Sequence, residues 1–173
     1  MNDLLDRIAY VRELTGKPVG VKTAIGGWEF INQLCDAVLK RGREYAPDFL
    51  AIDGAEGGSG AAPQTLFDHM ALPIAEALPR VVDSLIQSDL KSRIRVIASG
   101  KLVTSARASW ALCVGADFIN TARGFMFALG CIQAQTCHSG NCPTGVTTQD
   151  PVRQQALVVP DKAERVFNFH RNT

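Results

Sequence analysis

A chain of 173 residues is long enough for one domain with a sizeable core, and 46% hydrophobic against 20% charged residues excludes a disordered or fibrous protein. A net charge of +1 with interspersed signs leaves no basic stripe, so no nucleic acid partner is expected. No apolar run reaches the length of a bilayer span and the N-terminus lacks the apolar segment of a signal peptide, which makes a cytoplasmic location without membrane contact the expectation.

Met1 to Gly16 places Leu4, Leu5, Ile8, Val11 and Leu14 at helical spacing, with Gly16 as a natural C-terminal stop. Val19-Gly20-Val21-Lys22 predicts a short buried strand ending in a charge. Glu29 to Arg41 puts Phe30, Ile31, Leu34, Cys35, Val38 and Leu39 on one helical face, closed by Gly42. Phe49 to Asp53 is a second strand that runs into Gly54-Ala55-Glu56-Gly57-Gly58-Ser59-Gly60, a glycine density that fits a loop whose backbone approaches something closely. A helical region follows, with Pro73 and Pro79 read as first-turn residues and Val81, Val82, Leu85 and Ile86 facing the core. Ile94 to Ala98 is a third strand closed by Ser99-Gly100-Lys101. Thr104 to Val114 is a helix capped by Thr104 or Ser105 and ended by Gly115. Ala116 to Asn120 is a fourth strand, followed by Thr121-Ala122-Arg123-Gly124, and Asp161 to His170 is a short terminal helix after Pro160.

Strands alternating with helices imply an α/β fold of parallel βα units with right-handed crossovers. Lys22, Asp53-Gly54, Ser99-Gly100 and Thr121-Arg123 all fall at the C-terminal ends of strands, the face that carries chemistry in a (β/α)8 barrel. A complete barrel takes eight units and about 250 residues. Four units predict half of one, either a fragment of a longer product or a half-barrel that must cover its edges, and exposed edges of a parallel sheet predict a homo-oligomer. Chain termination at Arg171-Asn172-Thr173, within a helical pattern, also reads as truncation.

Five cysteines, an odd number, point to reduced thiols or a metal centre over a disulfide framework. Cys131, Cys137 and Cys142 follow a C-x5-C-x4-C spacing with Pro143 directly after the last. Zinc knuckles prefer tighter pairs and a fourth ligand, and only His138 is near; iron–sulfur clusters take thiolates from irregular loops, often with a following proline. Three free thiols without a metal is the plain alternative. Cys35 and Cys113 lie on apolar helical faces and are read as small core residues. Trp28 and Trp110 are read as packing anchors, and His69 and His170 are given no role. Asp53 and Glu56 are loop-capping residues or a carboxylate pair for acid–base work.

The segment Gly130-Cys131-Ile132, Cys137-His138, Cys142-Pro143, Gly145-Val146 and Thr148-Gln149 resembles the FMN-binding domain of glutamate synthases, where such a stretch carries a 3Fe-4S cluster. The resemblance continues upstream through Val21-Lys22, the Gly57 to Ala62 run and Ser99-Gly100, and Asn120 to Met126 is closer to the shorter, stand-alone branch of that family. It implies that residues 1–173 are one partial domain, the last four strands of a TIM (β/α)8 barrel, followed by an iron–sulfur loop at 130–146. The metal ligands would be Cys131, Cys137 and Cys142. The FMN site would draw on Gly57, Gly58, Ser59 and Gly60, on Ser99, Gly100 and Lys101 in the phosphate loop, and on Thr121, Ala122 and Arg123 as its second half. Lys22 would stabilise charge on reduced flavin or grip a substrate carboxylate. The implied chemistry is oxidoreductase: electrons from a donor protein or domain pass through the cluster and FMN to 2-iminoglutarate, formed from 2-oxoglutarate and ammonia, to give L-glutamate. Two other readings stand beside it. One is a phosphate-binding barrel enzyme similar to inosine-monophosphate dehydrogenases, with a single nucleophilic loop cysteine, against which three clustered cysteines argue. The other is a half-barrel without cofactor that folds as an oligomer.

Overall fold

The four apolar runs read from the sequence pair as one sheet in the computed structural model, which describes residues 1–56 and 69–173. The elements are α1 (Asn2–Thr15), β1 (Gly20–Ala24), α2 (Glu29–Arg41), β2 (Phe49–Asp53), α3 (Ile74–Gln87), β3 (Arg95–Ser99), α4 (Ser105–Val114), β4 (Phe118–Asn120), α5 (Ala122–Leu129), α6 (Pro151–Gln154) and α7 (Val159–Asn172). The strands lie in chain order, β1-β2-β3-β4, and every neighbouring pair is parallel. The predicted succession of parallel βα units is therefore present.

Strand register separates two faces. Leu50, Ile52, Val96 and Ala98 lie on one side and are fully buried in a core shared with Leu5 and Ile8 of α1, Ile31, Leu34 and Val38 of α2, and Leu78, Val81 and Leu85 of α3. The opposite face, reached by Phe49, Ala51, Ile97 and Phe118, is less completely covered, and Phe118 remains 59% exposed. Among the described residues the helical layer buries one face of the sheet.

Three local expectations are corrected. Pro79 is inside α3, not in its first turn; Pro73 is the N-cap. An interior proline costs about 3 kcal/mol. Burial of Ile74, Ala77, Leu78, Val81, Val82 and Leu85 offsets it, since each large aliphatic side chain contributes about 1.5–3 kcal/mol. Cys113 is exposed, because α4 turns Ala108 and Ala111 inward instead; Cys35 is buried as expected. Ile86, expected to face the core, is 58% exposed on the outer side of α3. The stretch after β4 forms a helix, α5. Its Arg-Gly start is weak by propensity, but Gly124 is buried and Phe125 meets the Phe169 ring of α7 edge-on at 5.4 Å, so tertiary packing decides. Trp28 and Trp110 pack against the core, as anchors should. No helix among the described residues is long and apolar enough to cross a membrane.

The N-terminal ends of the strands are tied by two aspartates. Asp48 accepts from the Val19 N–H at 2.7 Å and from Arg12 Nε at 2.8 Å, and pairs with Arg93 at 3.0 Å, joining α1, the entry to β1 and the entry to β3. Asp117 pairs with Lys91 at 2.7 Å and Arg95 at 3.0 Å and accepts from the Val96 N–H at 2.8 Å. These clamps concentrate structural charge at one edge and leave the other edge for chemistry.

Candidate functional site at the C-terminal edge of the sheet

Because β1 to β4 are parallel, their last residues Ala24, Asp53, Ser99 and Asn120 stand side by side. Lys22 reaches across this edge, its Nζ 2.9 Å from Asp53 Oδ2, and the ammonium stays largely exposed. Asp53 Oδ1 in turn accepts from the Ala55 N–H at 3.0 Å. Asp53 and Glu56 each meet a cation in this arrangement, Asp53 that of Lys22 and Glu56 that of Lys101 at 3.7 Å.

Ser99, Gly100 and Lys101 follow β3 on the same edge, and the Gly54 N–H donates to the Ser99 carbonyl at 2.7 Å. Thr121 is the N-cap of α5, with Ala122 and Arg123 in its first turn. Arg123 Nη2 donates to the Glu56 carbonyl oxygen at 3.0 Å, so the first turn of α5 touches the loop after β2. The structure thus brings Lys22, Ser99, Gly100, Lys101, Thr121, Ala122 and Arg123 to one sheet edge. Gly57, Gly58, Ser59 and Gly60 lie outside the described residues.

The cysteine segment starts where α5 stops. The Cys131 N–H donates to the Met126 carbonyl at 2.9 Å, and Cys137 opens a short 3-10 turn, Cys137–Ser139. Cys142 is buried, with its sulfur 3.4 Å from Thr144 Oγ1. Burial by itself would raise the Cys142 thiol, but the Thr144 hydroxyl and the backbone N–H groups of Thr147 and Thr144 outweigh it and hold the pKa down to about 6. Cys35, by contrast, is pushed up by burial.

Sequence reasoning missed what anchors this loop. The Asp150 side chain caps α6 by accepting from Val152 N–H at 2.8 Å, the Gln154 amide donates to the Thr148 carbonyl at 2.9 Å, and the Gly145 Cα is packed on the α6 backbone at Arg153. Gly145 has φ +77°, and a Cβ there would collide with the Arg153 carbonyl oxygen and approach the Arg153 carbonyl carbon to 3.1 Å. The glycine of the C-P-x-G-V motif was the available signal. Gly145→Ala is expected to detach α6 from the cysteine loop at a cost of about 2–3 kcal/mol, combining left-handed strain with backbone collision. Limited proteolysis checks it: cleavage after Arg153 should accelerate while cleavage after Arg43 stays unchanged.

The whole chain, residues 1–173, matches the family described as the conserved region in glutamate synthase. The chain belongs to the glutamate synthase family. It is 46% identical over 168 residues to the glutamate synthase large subunit-like protein YerD of Bacillus subtilis, covering 96% of this chain and 31% of that protein. It is 32% identical over 173 residues to the archaeal-type glutamate synthase [NADPH] of Thermotoga neapolitana, covering 99% and 33% respectively. With the glutamate synthase [NADPH] large chain of Azospirillum brasilense it shares 35% identity over 123 residues, 70% of this chain and 8% of that one. The chain therefore spans about a third of the length of the first two relatives.

Two groups implied by the glutamate synthase family can be tested against these residues. For a flavin phosphate, the informative atom is Thr121 Oγ1, which is buried and lacks a hydrogen-bond partner among the described residues, at the start of an eight-residue helix. A phosphate oxygen there would satisfy the hydroxyl and the free N–H groups of the first turn, so the residues fit. For an iron–sulfur cluster, the donor chemistry of Cys142 suits a thiolate ligand. Among the described residues, however, no three Cys, His, Asp or Glu side chains converge closely enough to hold a metal ion.

Proposed function

We propose that this chain is the C-terminal half of an FMN-binding (β/α)8 barrel of glutamate synthase type, taking 2-oxoglutarate and ammonia, through 2-iminoglutarate, to L-glutamate. The observation that carries this reading is the buried, unpartnered Thr121 hydroxyl at the N-terminus of α5, on the same sheet edge as Lys22, Lys101 and Arg123. Family membership over the full chain supports it.

In this reading the backbone of Ser99, Gly100 and Lys101 and the first turn at Thr121, Ala122 and Arg123 bind the FMN phosphate, and Gly57 to Gly60 join them on sequence alone. Lys22 orients a substrate carboxylate; its ion pair with Asp53, the last residue of β2, directs the exposed ammonium along the C-terminal edge of the sheet. Cys131, Cys137 and Cys142 hold a 3Fe-4S cluster, which requires Cys131 and Cys137 to close on the buried Cys142. When bound, the cluster and FMN supply one-electron relay and reduction of the imine carbon, with electrons from a donor protein or domain. The partly covered face at Phe49, Ile97 and Phe118 and the open edges of β1 and β4 are closed by the other half of the barrel. A second copy of the chain is the alternative cover, favoured by the same exposed strand edges, and would make a cytoplasmic homo-oligomer.

The test is an absorption spectrum with iron and sulfide analysis on anaerobically purified protein, alongside its mass in solution. Stoichiometric iron with broad visible absorbance, plus a yellow chromophore released on denaturation, is the expected result. A colourless, iron-free protein after anaerobic reconstitution with FMN, iron and sulfide sinks the proposal. A colourless dimer favours the oligomeric half-barrel.

A further inference from the structure

Glu56 occupies an unusual place for an acidic loop residue. Its side chain is only 13% exposed, and the carboxylate lies between the chain reversals after β2 and β3. A Cβ on Gly54 would come within 2.9 Å of Glu56 Oε2 and 2.7 Å of Ile74 N, and one on Gly100 within 3.2 Å of the same Oε2. The two glycines leave the room that the carboxylate fills.

Three elements converge on this residue. Pro73, the N-cap of α3, offers no side-chain acceptor, and the Ile74 N–H donates to Glu56 Oε2 at 3.1 Å in its place. Lys101 Nζ lies 3.7 Å from Oε1, and Arg123 Nη2 donates to the Glu56 carbonyl oxygen at 3.0 Å. The flanking Ala55 and Lys101 are non-glycine residues in the left-handed region, with φ 49° and 45°. Such backbone is unfavourable by itself and persists where surrounding contacts over-determine it.

We infer that Glu56 is a positioning residue that fixes Lys101 through its carboxylate and Arg123 through its carbonyl, so that the loop after β3 and the first turn of α5 present their cations in one register. As far as those cations meet a phosphate, the inference rests on the flavin reading above. A simple helix cap would need only the Ile74 contact. The contact to Lys101 makes the side chain a tie between loops, and it gives loss of the carboxylate a signature apart from that of the cap.

The experiment is hydrogen exchange on the full chain as wild type, Glu56→Gln and Glu56→Ala, followed by binding of FMN and of riboflavin, which lacks the phosphate. Glu56→Gln keeps a carbonyl acceptor for Ile74 but loses the ion pair, so exchange should rise about tenfold across residues 99–103 and less at 73–76. Glu56→Ala should loosen 73–76 and 99–103 together, with 46–50 and 116–118 unchanged and 121–124 still held by the backbone carbonyl at position 56. FMN affinity should fall about tenfold in both variants while riboflavin affinity holds. Faster exchange at 73–76 alone would make Glu56 an ordinary helix cap and overturn the inference. So would loosened loops with the FMN preference over riboflavin intact. A wild type that shows no preference for FMN, with 99–103 and 121–124 still tied through Glu56, would remove the flavin reading and leave the positioning role standing.

Discussion

Asp48→Ala is expected to lower the stability of the domain by about 3 kcal/mol, the low end of what removing one partner from a buried ionic cluster costs, because this cluster is only partly buried. For a domain of this size, that corresponds to a fall of about 10 °C in melting temperature. The reason is geometric. One carboxylate satisfies the Val19 N–H, Arg12 Nε and Arg93 Nη1, and the two arginines also donate to the Ala46 carbonyl at 2.6 and 3.1 Å. Its loss leaves two guanidinium groups and a backbone N–H without their acceptor at the point where α1, β1, β2 and β3 meet. Thermal denaturation followed by circular dichroism checks the effect, and a drop below about 1 kcal/mol would mean that water replaces the carboxylate cheaply.

The same cluster sets an acid limit. Burial would raise the pKa of Asp48, but the Val19 N–H and the Arg12 and Arg93 guanidiniums outweigh it and hold the carboxyl below its ordinary value. Asp117 is also lowered, burial being outweighed by Lys91, the Val96 N–H and Arg95. For a carboxyl whose folded value lies below its unfolded one, the stabilisation is complete above the unfolded value, near pH 4, and is lost as pH falls through the folded value. Wild-type stability should therefore be level with respect to these groups above about pH 5 and decline below about pH 4. Asp48→Ala should show a shallower decline in an acid titration of the melting temperature.

Cys137→Ser and Cys142→Ser are each expected to abolish stoichiometric iron binding in protein reconstituted with iron and sulfide, because a cluster held by three thiolates cannot spare one. Cys35→Ser and Cys113→Ser serve as controls, since one thiol is buried in the core and the other lies exposed on α4. Thr144→Val should have an intermediate effect, about tenfold weaker iron retention, by removing the hydroxyl beside the Cys142 sulfur while keeping side-chain shape. Iron and sulfide assays with visible absorbance distinguish these outcomes. Equal iron in all five proteins would show that the loop cysteines are not ligands.

Particular residues show why some of this site was legible in the sequence and some was not. Lys22, Asp53, Ser99 and Thr121 announced themselves because each ends an apolar run, and parallel pairing then forces strand ends onto one edge. The cysteine spacing was visible for the same reason, being a local pattern. Glu56 was not separable from an ordinary loop carboxylate, since its partners Ile74, Lys101 and Arg123 lie 18 or more residues away along the chain. The anchor of Gly145 on Arg153 was hidden in the same way.

The sequence by itself determined the order of strands and helices, the parallel α/β class and the polar edge, because hydrophobic period and glycine stops act over a few residues. Tertiary structure alone decided that Pro79 stays inside α3, that Ile86 and Cys113 face outward and that Glu56 ties the starts of α3 and α5 to the loop after β3. In each of those cases local preference is worth at most about 1–3 kcal/mol, and burial or ion pairing with a residue distant in sequence outweighs it.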